Sequence, residues 1–399
     1  MVVESVEQEL LLACARWSLG IVRPSDVAIA ATRVRNWPAF LRLADAQGVQ
    51  ALAAAAIESS DVPLPAEPMD VLRRTLRHNA RRVHLLTQEL LRVMALLDAA
   101  GVRAVALKGP VIAHRCYTEP AYRSIGDLDL LVSRRDLRHA SRVLNDAGYF
   151  EKGDAHLRSC RRAFGRLGNE IPFENTTTGI HIDLHGELMP VGFPATLNCR
   201  EMIDRSKMIE LEGQTVRSLA SMDHLVFLCL HGAKHGWSGL NWVLDLCGFI
   251  RQLPDLPLHT ARPSPVQRMT SIGLLLADYL LQGSNPQLEN VCREALSDER
   301  MAASRFISRF GSIEGEAFTV RRSIGDLLVT SGSLCATARF VGMMIVVPQP
   351  SDWESVRILR PGLYFLYYPV RLARLGWMRA LRISTIRQHG KLGDTNEAG

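Results

Sequence analysis

The chain has 399 residues, 47% hydrophobic and 22% charged, the balance of a globular protein long enough for two or three modest domains. Its net charge of +6 suits polyphosphate or nucleic acid, but Arg-rich globular chains share it, and nucleic acid is the less favoured partner. No apolar run reaches the roughly 18 residues of a membrane span, the eight scattered cysteines form no CxxC pair, and Glu4, Glu7 and Glu9 precede the first apolar run. A membrane-spanning protein, a disulfide or zinc framework and a signal peptide are therefore disfavoured, and a cytoplasmic protein with reduced thiols is expected.

Residues 5–19 read as a helix with Leu10, Leu11, Cys14 and Trp17 on one face. Pro24-Ser25-Asp26 opens a second segment, and 37–49 reads as a helix with Phe40, Leu41 and Ala44 inward and Gly48 as its stop. After a Pro-containing loop over 59–68, a long helix is predicted over 69–99, its apolar positions Leu72, Leu76, Val83, Leu86, Leu90, Val93 and Leu97 recurring at three- and four-residue spacing. Arg73, Arg74, Arg77, Arg81 and Arg82 fall on its other faces, first as a solvated basic surface and second as one facing triphosphate or RNA. Gly101 ends it, and Val102 to Leu107 reads as a strand. In the turn Lys108-Gly109-Pro110, Pro110 suits the first position of a helix running to Cys116. A strand, a glycine turn and a helix start favour an anion through free N–H groups, and Lys108 adds a point charge.

The stretch Gly126-Asp127-Leu128-Asp129-Leu130-Leu131-Val132 reads as a short buried strand with Asp127 and Asp129 on one face, because side chains alternate along a strand. Two like charges there need compensation, and a divalent cation with oxygen ligands is the usual one. Ser133 is expected to cap a helix over 134–147, and 151–170 reads as an Arg-rich excursion. A strand near 171–175 should pair, through Thr176-Thr177-Thr178-Gly179, with a strand over 180–185. There Ile180, Ile182 and Leu184 alternate with His181, Asp183 and His185, so Asp183 can join the first pair as a third carboxylate if the strands are neighbours. The three polar positions also suggest a zinc site, but alternate residues stand about 7 Å apart along a strand, too far to share one ion easily. The expected sheet is small and mixed, with helices on one side.

Residues 225–249 read as two helices around Gly236 to Gly239, carrying His231, Lys234, His235, Trp242 and Asp245 among apolar residues, either as ties between the helices or as a wall of a cleft. Residues 255–265 read as a Pro-rich loop, with helices near 266–283 and 287–310. Residues 361–386 interleave aromatic and leucine side chains with Arg371, Arg374, Arg379 and Arg382; packing on the protein is preferred to peripheral membrane contact. Residues 391–399 read as disordered. There is no Walker motif, no Gly-x-Ser-x-Gly and no Gly-x-Gly-x-x-Gly.

Leu107-Lys108-Gly109, the acid-x-acid strand from Gly126 to Val132 and Asp183-Leu184-His185 together resemble the nucleotidyltransferase fold of the DNA polymerase β superfamily. More narrowly, the chain is similar to a bacterial family of uncharacterised nucleotidyltransferases over about 8–280. The resemblance implies an α+β fold: a helical region over 1–80, a nucleotidyltransferase core over 81–200, a helical domain walling the cleft over 201–310 and a helical C-terminal region over 311–399. It implies that Asp127, Asp129 and Asp183 are catalytic and hold two Mg²⁺ ions, with Mn²⁺ as the alternative, and that Asp183 helps deprotonate an acceptor hydroxyl. Lys108, Gly109, Ser124, Gly126 and, more weakly, Arg123 would contact the nucleotide. His181, His185, His231, Lys234, His235 and Asp245 would line the acceptor side or the cleft wall. Where the superfamily has Gly-Ser or Gly-Gly, this chain has Gly109-Pro110, so the phosphate grip of the turn falls to Lys108. The implied activity moves a nucleoside monophosphate from an NTP to a small molecule or peptide of a biosynthetic pathway. The alternatives are a toxin-like RNA-modifying enzyme and a catalytically silent nucleotide-binding scaffold, the last least favoured because all three carboxylates are present.

Overall fold

A computed structural model of the protein describes residues 5–164, 170–253, 256, 264–311 and 320–377. Four helices, Val6–Ser18, Pro24–Arg33, Trp37–Ala46 and Gln50–Glu58, open the chain. The helix expected to run to Val49 ends at Ala46, because Gly48 turns the chain at φ +68°. The next helix, Gln50–Glu58, has no sequence periodicity to betray it: its run from Ala51 to Ile57 is buried all round. The long helix Ala66–Ala99 starts three residues before the expected Met69.

The chain then builds one mixed sheet from β1 (Val105–Ala106), β2 (Leu128–Leu131), β3 (Phe150–Glu151), β4 (Glu170–Glu174), β5 (His181–His185), β6 (Lys207–Leu211) and β7 (Gln214–Ser218), in the order β3-β4-β5-β2-β1-β7-β6. β2 pairs antiparallel with β1 and parallel with β5, while β1 pairs parallel with β7. The β6–β7 hairpin is a β element within the otherwise helical 201–310: its turn places Glu212 at φ +48° and Gly213 at φ +76°, the two left-handed residues that match strand twist. The helix expected from Arg134 starts at Leu137, and Ser133 donates instead to the Asp136 carboxylate at 2.6 Å.

Alternation along β2 divides its side chains between two cores. Leu128 and Leu130 join Ile182 and Leu184 of β5 beneath the long helix, with Leu86, Leu90, Val93 and Leu97. Leu131, with Val105 and Leu107, faces the larger core of the flanking helices, among them Ser221–Lys234, Leu240–Ile250 and Pro265–Leu281. Helices thus meet both faces of the sheet rather than one. Asp127 and Asp129 share the parity of Leu131, so they look toward the helical body.

A third, smaller cluster joins Cys160 of the helix Ala155–Phe164 to Trp353, Tyr364 and Tyr367. Arg371 and Arg374 pair with the buried Asp352, at 3.4 and 2.6 Å. These contacts hold the described part of 361–386 on the protein; Arg379, Arg382 and 391–399 lie outside the described residues. Among the described residues, no helix is long and apolar enough to cross a membrane.

Candidate active site

Parallel pairing sets Asp129 directly opposite Asp183, in the register that also opposes Leu128 to Ile182 and Leu130 to Leu184. Asp127, Asp129 and Asp183 therefore stand on one face of two neighbouring strands, as strand parity implied. Asp129 is only 5% exposed. Lys108 Nζ lies 3.1 Å from its Oδ2 and His185 Nε2 lies 3.0 Å from its Oδ1. The other His185 ring nitrogen is 3.6 Å from Glu170 on β4. Burial alone would raise the Asp129 carboxyl, but Lys108 and His185 hold it far below the carboxylate range. Asp127 moves the other way, raised by burial and then by Asp129. Asp183 is pushed up to about 6 by burial, with Glu170, Asp127 and Asp129 adding to it.

The approach to this face is fixed by backbone and by the long helix. Gly109 adopts φ +59° and ψ −126°, open only to glycine, and a Cβ there would sit 3.2 Å from the Asp127 carbonyl oxygen. Asn79 donates to the carbonyls of Ala121 (2.6 Å) and Arg123 (3.0 Å), and Arg82 to those of Ile125 (2.8 Å) and Gly126 (2.5 Å). Arg82 is thus not a solvated charge; it steadies the loop leading into β2. Exposed Ser124 and Gly126 lie in that loop. Fully buried His224 is bonded to the Leu107 carbonyl next to Lys108, and burial drives its ring down to about 3.

Arg123 and Asp245 are placed differently from their expected roles. The Arg123 guanidinium grips Asp245 in a buried bidentate bridge, at 2.9 and 2.8 Å, and Tyr117 donates to the same carboxylate at 2.8 Å. Both side chains are committed to a strut between the loop before β2 and the helix Leu240–Ile250. That helix approaches closely at Gly248, where a Cβ would come within 2.4 Å of the Cys116 carbonyl oxygen.

The helix Ser221–Lys234 and its cap bring His231, Lys234 and His235 to one face at three- and four-residue spacing. The ring of His231 stands 4.7 Å from that of His235, and Trp242 lies 5.3 Å from His235. His231 feels the charges of Lys108 and Asp129, and Lys234 those of Glu170, Lys108, Asp129 and Asp183, so this face fronts the carboxylates. His181, at the start of β5, keeps a buried Nδ1 with no hydrogen-bond partner.

For a metal ion, the donor set is carboxylate oxygen, suited to Mg²⁺ or Mn²⁺. Among the described residues, no three His, Cys, Asp or Glu side chains form a ready-made metal cluster. The compensation expected from a cation is met at Asp129 by Lys108 and His185. Asp127 and Asp183, both raised, are the under-neutralised members, and they fit a cation arriving between the strands.

Residues 33–282 match the family described as Uncharacterised nucleotidyltransferase. The chain belongs to that family. The match takes in all seven strands and every residue of the site, and supports nucleotidyl transfer in general terms. No curated protein matches the chain. The sequence motifs singled out the carboxylates and Lys108, and took Arg82 only as a surface charge, but missed Asn79, Glu170 and His224. These sit on elements distant in sequence, and only their tertiary approach reveals them; a polar His224 within an apolar helix was the one visible hint.

Proposed function

We propose that the protein transfers a nucleoside monophosphate from an NTP to an acceptor hydroxyl of a small molecule or peptide. The observation that carries this reading is the in-register pairing of Asp129 with Asp183, with Asp127 on the same face and Lys108 against it. An acceptor oxygen forms a bond to the α-phosphorus as the bond to pyrophosphate breaks. Asp183, on the strand beside Asp129, helps take the acceptor proton. Lys108 attracts the phosphates, and the His185–Glu170 pair orients Asp129. Asp127, Asp129 and Asp183 would hold Mg²⁺ or Mn²⁺, which when bound stabilises charge on the attacking and leaving oxygens.

An RNA acceptor is the second reading, carried by Arg74, Arg77 and Arg81, exposed on the long helix without a charge partner among the described residues; steep salt dependence of RNA binding would favour it.

The test is pyrophosphate release, with donors screened as labelled triphosphates against cell extract. Asp129→Asn should stay folded yet lose activity by roughly a hundredfold or more. Full turnover in a folded Asp129→Asn protein overturns the proposal and favours a binding scaffold.

A further inference from the structure

We propose that Lys234, His235 and Trp242 form the nucleotide-binding wall of the cleft, with Lys234 and Lys108 sharing the polyphosphate and the rings of His235 and Trp242 receiving the base. This inference rests on the nucleotidyl-transfer reading and adds where the donor lies.

The turn between two helices builds the wall. Gly232 leaves room for the Trp237 ring, which a Cβ would meet at 2.4 Å. Trp237 itself takes a left-handed backbone, φ +50°, and is fully buried. It supplies the packing at this corner, so Trp242 is not needed to fill it. Trp242 stays half-exposed, tilted 35° to His235 and edge-on to His231 at 89°. Burial drives His235 down to about 4, so the ring is neutral at physiological pH and presents an uncharged π surface.

Lys234 is the second observation. It is half-buried and has no hydrogen bond or ion pair among the described residues. Its charge is disfavoured first by burial, favoured next by Glu170, disfavoured by Lys108 and favoured by Asp129 and Asp183. Of the two lysines, Lys108 is the one paired with Asp129 among the described residues. Two ammonium groups beside one partly buried cleft favour a further anion that joins them. A polyphosphate does so, and planar rings beside it fit a nucleobase, whose stacking on aromatic side chains tolerates any base. Polyphosphate and base are thus placed on one helix–turn–helix, opposite the carboxylates.

Equilibrium binding to the full-length protein tests this, using ATP, CTP, GTP, UTP and inorganic tripolyphosphate, each with Mg²⁺ and with EDTA. Lys234→Gln should weaken the bound NTP and tripolyphosphate alike, by roughly tenfold. Trp242→Leu should weaken the NTP by about tenfold and leave tripolyphosphate unchanged. Trp242→Phe, which keeps an aromatic face, should bind NTP within about threefold and lose the nucleotide-induced quenching of tryptophan fluorescence. That variant and its fluorescence decide the matter if Trp242→Leu does not fold. Unchanged NTP affinity in Lys234→Gln, or NTP quenching that persists in Trp242→Phe, overturns this wall and leaves the transfer reading standing. A parent protein that binds neither any NTP nor tripolyphosphate overturns both.

Discussion

Lys108 and His185 occupy both oxygens of Asp129, while Asp127 and Asp183 have no ion pair of their own among the described residues. The three carboxylates are therefore unequal. Their shared face was legible because a strand alternates with period two; their inequality was not, because it depends on a lysine from a turn and a histidine braced by Glu170. Gly109 is the most exacting single position. Alanine there would have to adopt φ +59° with its Cβ crowding the Asp127 carbonyl. Gly109→Ala should destabilise the protein by about 1–3 kcal/mol and depress turnover through Asp127. Urea unfolding and pyrophosphate release check this; a Gly109→Ala protein of parental stability would show that the turn relaxes freely.

The helix Ser221–Lys234 and its cap carry three histidines whose rings resist protonation. Burial comes first in each case, with Arg115 adding at His224, and Lys108 adding at His231 and, behind Lys234, at His235. An unfolded histidine titrates near 6.5. From there down to about 4, His235 binds a proton only when unfolded; His224 does so down to about 3, and His231 is likewise held well below the unfolded value. Their stabilisation is present above the unfolded value and is lost as pH falls. Asp183, raised to about 6, opposes this between about 6 and 4, because its folded form binds the extra proton. With three histidines against it, unfolding free energy should fall from pH 7 to pH 5, and His235→Gln should flatten the slope. Denaturant titrations at pH 7, 6 and 5 read this, and an unaltered slope in the variant refutes the assignment. The strut between Arg123 and Asp245 makes a second claim on the element scale. Arg123→Ala should cost about 3–5 kcal/mol by stranding a buried carboxylate, and Arg123→Met with Asp245→Leu should recover much of it. A double variant no more stable than Arg123→Ala in chemical denaturation would mean that the bridge is needed beyond its charge balance.

At the scale of the molecule, the helices were legible wherever one face was apolar, as in the long helix and in 221–250. The sheet was half legible. β2 and β5 declare themselves by alternation, whereas the β6–β7 hairpin, joined by Glu212-Gly213, lacks the usual Asn-Gly signal and attaches through a strand of only two residues. Helices on both faces followed from neither pattern alone, since β2 contributes to two cores at once. Mg²⁺ binding only to the folded protein should raise its melting temperature at millimolar concentration. Asp183→Asn should blunt that rise, and a parental melting point unmoved by Mg²⁺ would count against a metal site.

The Tyr117–Arg123–Asp245 strut joins side chains contributed by segments more than a hundred residues apart, and it has a consequence for how this sequence can drift. Neither Arg123 nor Asp245 can change alone to an apolar residue without leaving a buried charge unanswered. Across relatives the positions should therefore vary as a linked set, with acid and arginine exchanged or lost together. Such joint substitution would mark, in sequence records alone, where the sheet and the helix pair bearing His231, Lys234 and Trp242 are locked together.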